Sequence, residues 1–155
     1  MKGLVVYHSR WGNCRRVAEA VTEGLQETGH EVVLTDVRSV EALDLDLEFL
    51  VVGSPTRAGR MTGKARGLIK REVTDAWDGK PFAAFGTGLE SGLESSKPQS
   101  ADDIRQALLA KGLEPIAPPF KAAVKGMKGP LLEDDIERAR EFGRDIGALL
   151  REDSE

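Results

Sequence analysis

The chain is poor in the residues that most often announce chemistry. Its 155 residues hold one cysteine and two histidines, so no internal disulfide can form and no Cys/His cluster offers a structural metal site. A lone thiol fits a reducing compartment. Aromatics make up only 5% of the chain, which leaves few rings to stack on anything planar. No apolar run approaches the roughly 20 residues of a membrane span, and the few apolar residues after Met1-Lys2-Gly3 are too short for a secretory signal. Neither sign of charge dominates: a net charge of -4 argues against nucleic acid and is too small to name a partner. Repeats, low-complexity stretches and linkers are also missing. The expectation is one cytoplasmic domain spanning 1–155, with a frayed tail at about 152–155 and no membrane or nucleic-acid partner; a homodimer stays open.

What is present alternates in kind. Leu4 to Tyr7, Glu31 to Leu34, Phe49 to Gly53, Pro81 to Phe85 and Glu114 to Ala117 are short, apolar and partly β-branched, the pattern of buried parallel strands. Helical periodicity separates most of them. Asn13 to Thr28 places Val17, Ala18, Val21 and Leu25 on one stripe before Gly29. A second helix is expected from Ser100, with Asp103 completing a capping box, to Gly112. A third runs from about Leu132 to Arg151, and weaker ones are expected near Val40 to Leu43 and Met61 to Val73. Five strands alternating with helices predict a doubly wound α/β sheet, a three-layer sandwich. Right-handed crossovers then bring three polar loops to one edge: His8 to Cys14, Ser54 to Gly63 and Gly86 to Ser96.

The stretch VVYHSRWGNCRRVAEAV, residues 5 to 21, passes from strand through a glycine-containing turn into a helix. Such a turn is an anion site, because the first helical N–H groups lack internal partners and the helix dipole favours negative charge. In this reading Ser9 donates its hydroxyl, the N–H groups of Gly12, Asn13 and Cys14 form the cradle, and Arg10 adds charge-assisted bonds. The plainer alternative has Asn13 capping the helix and Gly12 making the turn.

The segment YHSRWGNCRRVAEAV resembles the phosphate loop of flavodoxins, and its Trp-Gly-Asn core is similar to the flavodoxin domain of flavodiiron-type proteins. FLVVGSPTRAGRMTGKARGLIK resembles the family's third strand and the loop beside the flavin, GKPFAAFGTGLESG its fourth strand and loop, and PLLEDDIERAREFGRDIGALL its closing helix. The resemblance covers nearly the whole chain. It implies a five-stranded parallel sheet in the order 2-1-3-4-5 and FMN at its edge. The implied FMN site comprises Ser9, Arg10, Trp11, Gly12, Asn13 and Cys14 in the first loop, Pro55, Thr56, Arg57, Ala58 and Gly59 in the second, and Gly86, Thr87, Gly88, Leu89 and Gly92 in the third. It also implies an electron carrier working between redox protein partners, with no general acid or nucleophile and no metal. Two other readings stay open: a flavodoxin-like module that has lost flavin and binds an anion or a protein, and a small FMN-dependent quinone-type reductase. Low-molecular-weight tyrosine phosphatases share the architecture and a superficially similar GNCRR, but Arg10 stands where their cysteine nucleophile would.

The chain departs from the family in its aromatics. Where rings commonly cover the flavin stand Arg57 in one loop and Gly88 and Leu89 in the other. Trp11 is expected either to pack over the helix start or to touch the ribityl chain or ring edge, while Arg57 could lay its planar guanidinium on the flavin. Arg10, Arg57 and Arg60 make the surroundings basic. A unit positive charge about 8 Å from the ring, at an effective dielectric near 20, favours the reduced anion by about 2 kcal/mol, or roughly 90 mV for one electron. Cys14 takes the place of a usual threonine and reads as a weak S–H donor or, with its pKa lowered by the helix and Arg15 and Arg16, as a reactive thiol.

The remaining residues are assigned little. His8 at the site edge reads as a local hydrogen-bond partner, with contact to the phosphate or proton acceptance as the alternative, and His30 as a solvated turn residue. Asp44, Asp46 and Glu48 read as a solvated loop, and KGMKGP as a flexible turn whose lysines are solvated or form a basic rim.

Overall fold

In the computed structural model the backbone is described for residues 1–154 and the side chains for residues 1–152, so the tail expected at 152–155 falls almost wholly outside the described side chains. The chain order is β1 (Lys2–Tyr7), α1 (Asn13–Glu27), β2 (Glu31–Asp36), β3 (Phe49–Pro55), α2 (Gly63–Glu72), β4 (Pro81–Leu89), α3 (Glu90–Glu94), α4 (Ser100–Ala110), β5 (Glu114–Pro115), β6 (Phe120–Val124) and α5 (Asp134–Ser154). All strands pair in parallel, in the order β2-β1-β3-β4-β5, with β6 also on β4. The doubly wound sheet is as the alternation of elements predicts, and its 2-1-3-4-5 order is as the family resemblance implies.

Strand alternation sends successive side chains to opposite faces, and two cores result. Val5, Tyr7, Val51 and Phe85 pack under α1 and α5 with Val17, Val21 and Ile146. Leu4, Val6, Val52 and Ala84 pack on the other side with Leu68, Ile104 and Leu108 of α2 and α4. Because both faces are covered, polar segments are driven to the ends of the strands.

Four expectations are corrected. The fifth strand is not one segment over Glu114 to Ala117: it ends at Pro115 and resumes as β6, which the periodicity did not reveal. Pro118 and Pro119 stand in the gap and have no N–H to give to a ladder. After the break, Phe120 to Val124 pair with Phe85 to Leu89 and carry the sheet edge toward the loops. The helix expected near Val40 to Leu43 is absent; a short 3-10 turn occupies Val37–Ser39, opened by Asp36 accepting from the Arg38 N–H at 2.8 Å. The capping box of α4 sits one residue earlier than expected, with Asp102 accepting from the Gln99 N–H at 3.0 Å. Asp103 instead accepts from the Met61 N–H at 3.0 Å and pairs with Arg66. His30 is also not solvated: it is 5% exposed, its Nε2 is 2.7 Å from the Gly147 carbonyl, and its Nδ1 is 3.1 Å from the Met1 ammonium.

The helices α1 and α5 touch backbone to backbone. A Cβ on Gly24 would stand 2.2 Å from the Arg140 carbonyl oxygen, and one on Gly143 would stand 2.2 Å from that of Val21. Arg140 reaches Glu23 at 2.9 Å across the same seam. Gly143→Ala should therefore destabilise the chain by about 2 kcal/mol through overpacking, although intrinsic propensity alone favours Ala over Gly in a helix by about 1 kcal/mol. The midpoint of urea unfolding should fall; a rise would mean the seam can open without loss.

Candidate functional site

The loops leaving β1, β3 and β4 meet at one edge of the sheet and, with the segment after β6, enclose a cavity of about 440 Å³. That volume lies within the roughly 300–1,000 Å³ of small-molecule sites. Twelve of the sixteen expected site residues line it: Ser9, Arg10, Trp11, Asn13, Cys14, Pro55, Thr56, Arg57, Ala58, Thr87, Gly88 and Leu89. Four do not. Gly12 supplies the turn behind it, Gly86 packs inside the sheet against Ser100, and Gly59 and Gly92 face a wider neighbouring groove of about 1290 Å³. The two spaces share Thr56, Ala58 and Leu89.

In the first loop, Gly12 adopts φ 89° and a Cβ there would meet nothing within 4 Å. This left-handed turn is cheap only for glycine. The Ser9 hydroxyl oxygen accepts from the N–H of Gly12 at 3.1 Å and of Arg15 at 3.2 Å. The cradle therefore differs from expectation: the Gly12 amide is already engaged, and Ser9 is the residue that fixes the helix start, while Asn13 donates its side-chain amide to the Lys128 carbonyl at 3.1 Å. The N–H groups of Trp11, Asn13 and Cys14 have no partner among the described residues. Ser9 keeps its own O–H free to donate.

The second loop is a tight reversal in which Arg57 and Arg60 exchange backbone hydrogen bonds at 2.9 and 3.0 Å. Its central residues, Ala58 at φ 51° and Gly59 at φ 77°, are both left-handed. An alanine held there is strained, and it stands at the cavity wall. The Thr56 hydroxyl is spent on α4: Oγ1 lies 3.1 Å from Gln99 Oε1 and accepts from the Ser100 N–H at 2.9 Å. Gly88, near the end of β4 and not in the loop expected there, allows this, since a Cβ on it would stand 1.8 Å from Gln99 Oε1.

Sequence reasoning missed Thr62, Val124 and Met127 on the lining and gave His8 only a local role. No local signal marks Val124 and Met127, because β6 was unseen. His8 Nδ1 is 2.7 Å from Thr62 Oγ1, and the Thr62 N–H donates to Ser54 Oγ at 3.0 Å. Burial holds the His8 pKa below its ordinary 6.5, and Arg38, Lys64 and Arg57 push the same way against Asp36. Cys14 is 2% exposed, and burial pushes its thiol up. Burial thus opposes a thiolate and favours the weak-donor reading. Trp11 is half-exposed, with the Arg10 guanidinium carbon 5.2 Å and Lys128 Nζ 4.9 Å from its ring centroid. Apart from His8 it is the only aromatic ring on the lining. The donor set of unpartnered amides, a hydroxyl and an arginine beside an enclosed space matches a phosphate ester carrying a larger group.

The sequence profile of the Flavodoxin family matches residues 5–141. A flavodoxin of Aquifex aeolicus is 38% identical over 89 residues, covering 54% of this chain and 48% of that protein. An NAD(P)H dehydrogenase (quinone) of Methylocella silvestris is 31% identical over 109 residues, covering 54% and 55%. The chain thus spans about half the length of these curated relatives. Among solved structures, a flavodoxin from the domain Archaea superposes with a TM-score of 0.78 at 22% identity over 97% of this chain and 99% of that one. The rubredoxin oxygen:oxidoreductase of Desulfovibrio gigas superposes at 0.77 and 20% identity over 99% of this chain and 37% of that one. These two likenesses speak to the fold.

The depressed pKa of His8 has a thermodynamic consequence. Below pH 6.5 the unfolded chain takes up a proton that the folded chain resists, so stability falls as pH drops through that window. Unfolding free energies of the wild type and His8→Asn, compared between about pH 8 and pH 5, should show a wild-type loss the variant lacks. Parallel curves would assign the loss to other groups.

Proposed function

Taking as premise that this chain belongs to the flavodoxin family, whose profile covers residues 5–141, we propose that it binds FMN and carries electrons between redox proteins. The observation that carries the reading is the pairing of unpartnered amides at Trp11, Asn13 and Cys14 with an adjoining cavity of about 440 Å³. Those amides, the Ser9 hydroxyl and Arg10 would hold the phosphate. Trp11, Arg57, Ala58, Thr87 and Leu89 would border the ring. When bound, FMN supplies one- and two-electron transfer. The chain orients it, shields it and sets its electrostatic surroundings. Localisation in the cytoplasm is part of the proposal, supported by the single cysteine and by the lack of any helix long and apolar enough to cross a membrane among the described residues.

A second reading has its own support. Matches to quinone-reducing NAD(P)H dehydrogenases and the wide groove that shares Thr56, Ala58 and Leu89 with the cavity favour a small reductase with room for a substrate beside the ring. Quinone-stimulated NAD(P)H oxidation by the flavin-loaded chain would move it ahead. A chain that stays colourless and does not quench FMN fluorescence would favour a module without flavin.

If the first loop holds the phosphate, FMN should bind at least about 100-fold tighter than riboflavin, since charge-assisted bonds are worth about 1.5–3 kcal/mol each. Ser9→Ala should shrink that ratio and cost about 1–2 kcal/mol of stability, because it orphans two amides. Equal affinities for FMN and riboflavin would refute the phosphate assignment.

Arg57 is exposed and has no ion pair among the described residues. Arg57→Ala should weaken FMN binding and lower the flavin potential by on the order of tens of millivolts at low salt. Unchanged affinity would remove Arg57 from the site, and an unchanged potential would remove the charge argument.

A further inference from the structure

The cavity mouth has a composition that flavin binding does not require. Three of the chain's exposed large apolar side chains, Trp11, Leu89 and Met127, all line it, at 44%, 48% and 78% exposure. Segments 8–16, 54–66 and 124–130, which bound the mouth, carry nine of the chain's 22 Lys and Arg and none of its 26 Asp and Glu. Arg10, Arg57, Arg60, Lys64, Lys125 and Lys128 are all exposed and form no ion pair among the described residues. Arg10 and Lys128 both lie within about 5 Å of the Trp11 ring centroid, so the apolar centre and the cations form one surface. The ring of charge is open toward α3, where Glu90 and Glu94 lie.

We propose that this mouth is the docking face for an acidic electron-transfer protein. The proposal rests on the flavin reading for its purpose but not for its geometry. An apolar patch of Trp, Met and Leu rimmed by arginines and lysines has the apolar centre and polar rim of a protein–protein interface. A chain that is acidic overall yet basic on one face is a dipole, and it orients an acidic partner before contact. Charge complementarity thus selects the partner's sign, and the cavity at the centre of the patch selects a partner whose own redox group must come close.

The test is titration of the isotopically labelled full chain, with and without FMN, with an acidic [2Fe–2S] ferredoxin, a basic cytochrome c, phosphatidylserine-containing vesicles and duplex DNA. The ferredoxin should bind at low salt with signals of Trp11, Leu89 and Met127 shifted, and its affinity should fall by about 10-fold or more as salt rises to several hundred millimolar. The double variant Lys64→Glu and Lys125→Glu, which alters neither the cavity lining nor a recorded side-chain hydrogen bond, should lose about 5-fold or more of that affinity at low salt. Its affinity for FMN should stay unchanged. Tighter binding to cytochrome c, an unaffected double variant, or preferential binding to vesicles or DNA would each overturn the proposal. A chain that binds FMN but ignores the ferredoxin loses the docking face alone; one that binds the ferredoxin but not FMN loses the flavin reading alone.

Discussion

The hydroxyl of Ser9 holds the site together. By accepting from two amides, those of Gly12 and Arg15, it draws the end of β1 and the start of α1 into one turn and leaves its own proton available. The turn closes because Gly12 takes a left-handed conformation with open space where a side chain would stand. What remains unpaired among the described residues, the amides of Trp11, Asn13 and Cys14, is what the proposed phosphate cradle would use. An ordinary helix cap would satisfy its amides locally. This one satisfies some of them and leaves the rest on residues that line a cavity.

The second and third loops are placed by a different device. Thr56, Gln99 and Ser100 form a hydrogen-bonded cluster at the start of α4, and Ser100 donates to the Ser54 carbonyl at 2.6 Å. Gly86 and Gly88 exist in β4 because any Cβ there would strike Ser100 or Gln99. Gly86 therefore acts on the site indirectly, by packing, while Gly88 both admits Gln99 and lines the cavity; together they let α4 fix the wall on which Ala58 and Leu89 stand. The strain held at Ala58 is affordable because the surrounding reversal and α4 over-determine it.

Poverty in aromatics and wealth in arginine around the cavity belong together. With Trp11 and His8 the only rings on the lining, a planar ligand would be bordered chiefly by small residues and guanidinium groups. Positive charge beside a flavin favours its reduced, more negative form. The same charges face outward as well as inward, so one set of side chains conditions both the electrostatics of the cavity and the sign of whatever approaches it.

Local chemistry made much of this readable in the chain itself. Strand and helix periodicity, the Ser9 to Cys14 turn and the gathering of three loops at one edge all follow from interactions between residues a few positions apart, and twelve expected residues do line one cavity. Tertiary structure decided the rest. β6 was hidden because a strand interrupted by Pro118 and Pro119 looks like loop until β4 pairs with it, and with it were hidden Val124 and Met127. Which amides stay free, why Thr56 is spent, and why His30 is buried depend on partners more than 40 residues away in most cases, such as Ser100 or Gly147. The basic face is likewise assembled from segments some fifty to seventy residues apart. Periodicity encodes which way a residue points; only folding settles what it meets there, because a hydrogen bond or a field depends on distance in space and not along the chain.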